Sequence, residues 1–485
     1  MIRHISAALT VVVLSFSCIA VAPAGAELRS TIGLDPTAGP VGSSFTIKGS
    51  GFRPFAGGDI TFGVVHLGHF RASRSGSFSL SLTVPVATGT VTVKATTSSA
   101  KATQLFTVTS SVASRPVVEP KPVLARPRVV EPPPSPTSGF VGRQGAQLTL
   151  GGVAYRPSGL NAYHLATDHN INYGCGEANS QADIDQFFDS LASGSMTRFW
   201  AFQHQAFNKN TGAIDFTTID RVIQSAERAG QKLIVTIGNQ GRDCDMPAQK
   251  DENWYAGGYR NVYNTGTYNG SGTLNKSTPL SYWNWMNLIV PRYANSPAVA
   301  IWEPINEPYP STVRSDGSQY CSSTAPATLR TFFDTVGQQI HSLAPNHLVG
   351  SGLIGSGQCG AGGADYETLH QSPGLDVASY HDYGHDDSPI PGDQWNGLQR
   401  RIDQMARIAK PLIVGEVGIT AADGVSGCNT TAVRRDKLKA KADAQFRAGV
   451  DAFIPWAWSK TTRTGCDYDI KPRDLTLALL RGYMP

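Results

Sequence analysis

The chain has 485 residues, a formal net charge of +4 and 16% charged residues. This length suffices for one large domain and a second, smaller one. So small a net charge gives no reason to expect a nucleic acid or an acidic macromolecule as partner.

The first 26 residues have the pattern of a secretory signal peptide. Arg3 and His4 precede the apolar run Ala7 to Val21, and Ala24-Gly25-Ala26 fits a cleavage site before Glu27. The run is short for a membrane span, and no later stretch reaches the ~20 apolar residues that a span needs. We therefore expect a secreted protein, extracellular or associated with the cell wall, with no membrane span in the mature chain.

Cleavage there leaves six cysteines, and in an oxidising compartment these predict three disulfides. Sequence alone does not fix the pairing, and our hypothesis pairs each cysteine with its nearest neighbour along the chain. A zinc site is the alternative, but no two cysteines have the close spacing of a zinc knuckle. The six residues are Cys175, Cys244, Cys321, Cys359, Cys428 and Cys466.

Residues 27–109 alternate polar and apolar side chains in short runs such as Phe45 to Lys48, Phe78 to Leu82 and Thr90 to Val93. This period of two predicts a small all-β sandwich. The segments Gly49 to Phe52 and Ser75 to Phe78 resemble bacterial immunoglobulin-like and IPT-type repeats. The region contains neither Trp nor Tyr, which favours a spacer or wall-interaction module over a carbohydrate-binding module.

Residues 110–138 are rich in proline. Proline removes backbone donors and favours extended polyproline II conformers, so this segment is predicted to be a semi-rigid linker. The alternative is that an SH3-like partner recognises these prolines. Since the protein is expected to be exported, the spacer interpretation is favoured.

Residues 139–485 alternate strand and helix patterns. Phe140 to Gly152 is predicted to be a hairpin, and Ser180 to be the N-cap of a helix. Eight strands with intervening helices predict a (β/α)8 barrel. A doubly wound open sheet is the competing architecture, but the sequence has no glycine-rich nucleotide turn. The strands are expected at residues 155–161, 196–202 and 232–237, in the stretch 301–310, and at residues 347–353, 375–380, 412–414 and 452–458.

Two of these strands end in a glutamate. Ile301 to Pro310 reads IWEPINEPYP and contains Glu307, and Lys410 to Ile419 reads KPLIVGEVGI and contains Glu416. The carboxyl ends of barrel strands meet at one face, where active sites lie. Two carboxyl groups at one site are what glycosidic bond cleavage requires, one for the leaving oxygen and one for the anomeric carbon.

Trp302 to Pro308, together with Val414-Gly415-Glu416, resembles the clan A glycoside hydrolases, family 5 in particular. Members of this family are retaining enzymes on a (β/α)8 barrel. The resemblance implies that Glu416 is the nucleophile and Glu307 the acid and base, with the pKa of Glu307 raised by the neighbouring negative charge. The reaction that the resemblance implies requires no cofactor and no metal.

The resemblance also assigns supporting roles. Arg198 would lie beside the nucleophile and keep it ionised, or be an ordinary barrel salt bridge. His381 would approach the sugar, Tyr383 would hydrogen-bond the nucleophile, and Asn306 would bind the sugar 2-hydroxyl. The nearby His385, Asp386 and Asp387 could form a metal cluster, but a hydrated turn explains them as well.

Aromatic residues are expected to contact the sugar. Trp456 and Trp458 are two residues apart, so on a strand their side chains would point to the same face. Alignment with the family selects Trp458 as the hydrophobic floor under the sugar at the cleavage point, and Trp456 is the other candidate. The long segment 238–281 contains Trp254 and four tyrosines, Tyr255, Tyr259, Tyr263 and Tyr268. Long loops are usually functional and aromatic faces stack on pyranose rings, so this segment is predicted to be a wall of the cleft.

The substrate is predicted from a position at which this chain differs from the cellulases of the family. Cellulases usually place a histidine after strand three, where this chain has Asn239, and this favours the β-mannanase branch acting on β-1,4-mannan, with a cellulase-like activity as the near alternative. The expected partner is a polysaccharide or oligosaccharide, and the protein is expected to be a monomer. Two alternatives stay open: a catalytically silent glycan-binding surface protein, and an enzyme acting on the producer's own envelope polysaccharide.

Overall fold

The computed structural model describes residues 30–40, 43–63, 65–84, 89–109, 139–241, 244–245, 250–262, 280–314, 316–384, 388–461 and 465–483. The chain divides into two compact units, Met1–Val129 and Val130–Pro485. The predicted signal peptide, the predicted linker and the residues His385, Asp386 and Asp387 lie outside the described residues.

The first unit is built of β-strands. Strands β1, β3 and β6 form one sheet, and β2, β8, β7, β4 and β5 form a second. Side chains of both sheets, including Phe45, Ile60 and Phe106, are buried in a single hydrophobic cluster. The unit is therefore a two-layer β structure. Its strands are β1 (Thr31–Asp35), β2 (Ala38–Pro40), β3 (Ser44–Ser50), β4 (Gly57–Phe62), β5 (Val65–Arg71), β6 (Phe78–Thr83), β7 (Gly89–Thr97) and β8 (Lys101–Thr109).

The second unit opens with the predicted hairpin and continues with strands that alternate with helices. These strands are β9 (Val141–Gln144), β10 (Gln147–Leu150), β11 (Val153–Ala154), β12 (Gly159–Asn161), β13 (Met196–Trp200), β14 (Lys232–Thr236), β15 (Val299–Glu303), β16 (Thr312–Val313), β17 (Gln319–Tyr320), β18 (Leu348–Val349), β19 (Ala378–Asp382), β20 (Leu412–Val417) and β21 (Ala452–Pro455).

Eight of these strands form a closed parallel barrel. A five-stranded sheet runs in the order β12, β13, β14, β15, β18, and a three-stranded sheet in the order β19, β20, β21. Parallel bridges between Gly350 and Val377 and between Ser158 and Phe453 join the two sheets at both edges. The eight expected strands are all present, and the open-sheet alternative is excluded.

The barrel interior is apolar at the end where the strands begin. Met196, Ile234 and Ile413 are buried there together with Leu148 of the opening hairpin. Strands β12, β13, β14, β15, β19 and β20 are buried at every residue. Buried parallel strands show continuous apolar runs, so the charged residues inside them stand out. These residues are Arg198, Lys232, Glu303, Asp382 and Glu416.

The helices pack their apolar faces on the outside of the barrel. Ser180 caps the first of them and forms a capping box with Asp183, which confirms the predicted start. The helices are α1 (Gln181–Asp189), α2 (Thr217–Ala229), α3 (Glu252–Ala256), α4 (Tyr282–Arg292), α5 (Ala325–Leu343), α6 (Asp365–His370), α7 (Leu398–Arg407), α8 (Thr431–Ala448) and α9 (Leu475–Arg481). Among the helices of the described residues, none has the length and apolar character that crossing a bilayer demands.

Three disulfides join segments that follow the barrel strands. Cys175 pairs with Cys244, Cys321 with Cys359, and Cys428 with Cys466, which confirms nearest-neighbour pairing. The six cysteines follow β12, β14, β15, β18, β20 and β21. Each bridge therefore ties together two loops at the face where the strands end.

Candidate active site

The two glutamates of the sequence motifs lie at the carboxyl ends of their strands. Glu416 is the penultimate residue of β20 and is 4% exposed, whereas Glu307 follows the end of β15 by four residues. The backbone of Glu307 has φ +52°, and its amide donates to Gly352 O at 2.8 Å. A residue other than glycine rarely adopts this conformation, and such strain is found at active sites.

The carboxyl groups of Glu307 and Glu416 approach each other closely. One oxygen of each and a ring nitrogen of His381 all lie within 4.8 Å of one another. Retaining glycosidases hold their two carboxyl groups about 5 to 5.5 Å apart, and inverting enzymes leave about 6.5 to 9.5 Å for a water molecule. The spacing therefore matches direct attack by one carboxylate.

Arg198 is fully buried and uses all five of its N–H donors. Nη1 donates to Glu416 Oε1 at 2.7 Å and to Asn161 Oδ1 at 3.1 Å. Nη2 donates to Asn306 Oδ1 at 2.6 Å and to Glu303, and Nε donates to Glu303 Oε1 at 3.0 Å. The guanidinium thus lies between two carboxylates and fixes both of them.

Tyr383 completes the contacts of Glu416. Its hydroxyl donates to Glu416 Oε2 at 2.7 Å, so each oxygen of this carboxylate accepts a hydrogen bond. The preceding residue, Asp382, is buried and pairs with Lys441 at 2.9 Å. This pair anchors the end of β19 to α8. Glu416 is consequently oriented from two sides, which suits a nucleophile.

The three titratable groups at the site influence one another. Burial raises the pKa of Glu416, and the nearby His381 and Arg198 only partly offset this. For Glu307, burial acts to raise the pKa, but the hydrogen bond and charge of His381 outweigh it and hold the pKa below its usual value. Burial acts to lower the pKa of His381, yet Glu416 and Glu307 raise it on balance. The prediction of a raised pKa for Glu307 is wrong for the free protein, because His381 lies beside it.

His381 is the group that joins the two carboxylates. Its Nδ1 lies 2.8 Å from Glu307 Oε1 and 3.6 Å from Glu416 Oε1, and its side chain is completely buried. With the pKa of His381 raised and that of Glu307 lowered, the proton shared by the pair resides on the imidazole. Transfer of this proton over 2.8 Å would turn Glu307 into an acid.

Asn239 and Asn306 lie side by side. Asn306 Nδ2 donates to Asn239 Oδ1 at 3.0 Å. The backbone amide of Asn239 donates to Asp245 Oδ2 at 2.7 Å, and the buried Lys250 pairs with the same carboxylate at 3.0 Å. The predicted pair of asparagines is therefore held by a buried ion pair on the loop after β14.

The tryptophans after the last strand differ from the prediction. Trp458 is only 2% exposed and stacks on His164, with ring centroids 5.3 Å apart. Trp456 is half-buried and stacks on Tyr163 at 5.0 Å with Trp200 beside it. The expectation that both indoles face the same way is wrong because β21 ends at Pro455, so strand alternation does not extend to them. The choice of Trp458 from the family alignment is wrong because its ring is buried in the core. Of these two indoles, Trp456 is the less buried one.

Trp254 also differs from the prediction. It lies in α3 and is 1% exposed, packed edge-on against Tyr282 and close to Phe332. Its ring belongs to the helix core and cannot stack on a sugar, so its assignment to the cleft wall was wrong. Tyr255 and Tyr259 are buried in the same cluster. The other two tyrosines of this segment, at positions 263 and 268, lie outside the described residues.

Three residues of the site were missed in the sequence. Glu303 binds Arg198, Asn161 receives a hydrogen bond from it, and Tyr163 stacks on Trp456. A signal existed for Glu303, since a carboxylate inside a wholly apolar strand needs a buried partner. For Tyr163 the sequence shows only an aromatic residue two positions after a strand.

Glu307, His381 and Glu416 are the set of side chains in the described part of the chain whose spacing suits a metal ion. Each of the three already has a hydrogen-bonding partner within the set or beside it. Arg198 lies 2.7 Å from Glu416, and a fixed positive charge at that distance opposes the binding of a cation. The arrangement is suited to nucleophilic attack with proton transfer.

Comparisons with known proteins agree with this chemistry. The sequence model of the cellulase family, glycosyl hydrolase family 5, matches residues 190–460. Mannan endo-1,4-beta-mannosidase A of Hypocrea jecorina is 28% identical over 311 residues, which is 57% of this chain and 64% of that protein. Probable mannan endo-1,4-beta-mannosidase F of Aspergillus flavus is 28% identical over 362 residues, which is 67% of this chain and 68% of that protein.

The fold has a counterpart among solved structures. The endo-1,4-beta-mannanase from Rhizomucor miehei superposes with a TM-score of 0.52 at 20% identity, covering 70% of this chain and 97% of that one. This likeness concerns the barrel fold. The chain spans just under two thirds of the length of its Hypocrea relative. Since the family model covers more than half of the chain, the chain belongs to the cellulase family, glycosyl hydrolase family 5.

Proposed function

We propose that the protein is a secreted endo-β-1,4-mannanase that works by double displacement with retention of configuration. The observation that carries the proposal is the close approach of Glu307 and Glu416, within 4.8 Å, with Arg198 and Tyr383 both hydrogen-bonded to Glu416. A nucleophile held from two sides beside a second carboxyl group is the arrangement of a retaining glycosidase.

The reaction then has two steps. In the first, Glu416 attacks the anomeric carbon while Glu307 gives a proton to the leaving oxygen, so that a glycosyl ester forms and the glycosidic bond breaks. In the second, Glu307 removes a proton from water, which attacks the same carbon and releases Glu416. His381, 2.8 Å from Glu307, holds the shared proton between turnovers. Burial of Glu416 strengthens its interaction with the developing charge.

Asn306 is proposed to bind the 2-hydroxyl of the sugar being cleaved. Arg198 fixes its Oδ1 and Asn239 accepts one hydrogen of its Nδ2. The second Nδ2 hydrogen has no partner among the described contacts and is available to a hydroxyl. Trp456, stacked on Tyr163, would form the apolar surface under the ring.

The choice of mannan rests on two supports. The curated relatives described above carry mannan endo-1,4-beta-mannosidase names, and the position after β14 holds Asn239 in place of the histidine usual in cellulases. Cellulase-like activity is the near alternative, because the family also contains cellulases.

Endo action is supported by the exposed Trp395. All eight tryptophans lie in the described part of the chain, and Trp395 is the one that is exposed, at 66%. It lies on the segment between β19 and α7, and the neighbouring Asn396 is in contact with Gly357. Gln358, next to Gly357, donates to Pro308 O at 3.1 Å. We propose that Trp395 extends the cleft on the side of Glu307, where the leaving part of the polymer lies.

The first unit is proposed to be an immunoglobulin-like sandwich of the IPT type that acts as a spacer or wall-interaction module. Its two-layer arrangement and its lack of Trp and Tyr support this. Deletion of residues 27–138 is expected to leave hydrolysis of a small soluble oligosaccharide nearly unchanged. Loss of that activity on deletion would refute the spacer role.

The experiment that tests the function is incubation of the protein with mannan, glucomannan, carboxymethylcellulose, xylan and producer cell wall, followed by measurement of new reducing ends and product lengths. Glu307→Ala is the control. We expect internal cleavage of mannan and glucomannan that is absent in the control. Activity confined to the cell wall would favour the envelope enzyme, and silence on all five would favour a glycan-binding role.

A further inference from the structure

Glu303 is a third carboxylate beneath the two catalytic ones. It is the last residue of β15 and is 1% exposed. Its Oε1 accepts from Arg198 Nε at 3.0 Å and from Thr236 Oγ1 at 2.9 Å, and it also accepts from Arg198 Nη2. A buried carboxylate is costly to desolvate, so it persists only with partners of this kind.

Glu303 fixes the direction of Arg198. Two of the five guanidinium donors bind Glu303, and the remaining three bind Asn161, Asn306 and Glu416. The planar guanidinium has a rigid donor geometry. Once its Nε edge is held by Glu303, the positions of Nη1 beside Glu416 and of Nη2 beside Asn306 are determined.

With the single proton of the pair on His381, the cluster holds two positive groups, Arg198 and His381. Three carboxylates, Glu303, Glu307 and Glu416, face them. Tyr383 contacts Glu416 as a neutral hydroxyl. Loss of Glu303 would remove one negative charge beside Arg198, which disfavours protons on every group nearby.

We propose that Glu303 is a positioning residue for the hydrolytic reaction: it orients Arg198 toward the nucleophile, and its charge sets the pH range in which the catalytic pair works. This rests on the function proposed above. Glu303 does not contact the reacting atoms, and it acts through Arg198.

The test compares Glu303→Gln with Glu303→Asp in the full-length protein, with kcat/KM measured against pH on a chromogenic β-mannoside oligomer. The Gln variant keeps the shape and removes the charge, so both limbs of the profile are expected to move to lower pH by about 1 unit. The Asp variant keeps the charge and shortens the side chain, so its profile is expected to stay in place while its height falls by up to ~100-fold.

Asp474→Asn is the matched control, because Asp474 also pairs in a buried site with an arginine, Arg434, but lies at the start of α9. Its profile is expected to coincide with that of the wild type. Circular dichroism establishes whether each variant is folded. If Glu303→Gln does not fold, a shifted pH profile in Glu303→Asp, which keeps the charge, would by itself refute the proposal that the charge of Glu303 sets the pH range. A lowered but unshifted profile in a folded Glu303→Gln would reduce Glu303 to a structural salt bridge. Inactivity of the wild type would instead overturn the proposed function.

Discussion

Replacement of His381 by asparagine tests how the proton of the acid is stored. Asparagine keeps an N–H donor near the position of Nδ1, 2.8 Å from Glu307, but it cannot hold a proton in the working pH range. In the wild type, the shared proton of Glu307 and His381 is lost when His381 titrates. The pKa of His381 is raised above its ordinary value of 6.5. In the variant this proton resides on Glu307, whose ordinary value is 4.5.

The basic limb of kcat/KM is therefore expected to fall by about 2 pH units. Because two units correspond to a factor of ~100, the variant should lose about 100-fold at pH 7 and far less near pH 5. The assay is initial-rate hydrolysis of a chromogenic mannooligosaccharide between pH 4 and 9. The opposite finding, a uniform loss of rate with the basic limb unmoved, would mean that His381 only positions Glu307 and stores no proton.

Three further predictions follow from burial and exposure. Trp456→Ala should lower kcat/KM by at least ~10-fold with the melting temperature nearly unchanged, because its ring is proposed to contact the sugar. Trp458→Ala leaves a cavity in the core and should destabilise the fold by about 3 to 5 kcal/mol. Equal effects of the two variants would contradict the proposal that Trp456, and not Trp458, contacts the sugar. Trp395→Ala should weaken binding of long mannans, seen as a raised KM, and leave the cleavage of a short chromogenic substrate unchanged, so a raised KM for both would contradict the extended cleft. Burial raises the pKa of Asp451 from 3.8 to about 6. Because the pKa is higher in the folded than in the unfolded state, the free energy of unfolding decreases as the pH rises from about 4 to 6, by at most about 3 kcal/mol. Asp451→Asn, which keeps an acceptor for the amide of Leu148, should raise the melting temperature at pH 7 and not at pH 3, and no gain at pH 7 would refute this.

The barrel and its two glutamates could be predicted because local sequence carries the information. Apolar runs in the right order determine the strands; Glu416 lies near the end of one such strand, and Glu307 follows another by four residues. The disulfide pairs agree with simple proximity along the chain. In each case the determining pattern lies within a few residues or in the order of elements.

The errors arose where distant contacts decide the outcome. His381 lies 74 positions from Glu307, and this contact reverses the expected direction of the pKa of Glu307. Trp254 was assigned to a loop, but five residues around it form α3 and pack on α5. Aromatic composition alone does not distinguish a cleft wall from a helix core, since both require apolar surface.

The stereochemistry of hydrolysis tests the central claim most directly. Proton NMR of a β-linked mannooligosaccharide during the first minutes of reaction identifies the anomer released before mutarotation. Attack by Glu416 followed by water on the same carbon inverts twice, so the β-anomer is expected first. Initial release of the α-anomer would contradict the double displacement and, with it, the nucleophilic role of Glu416.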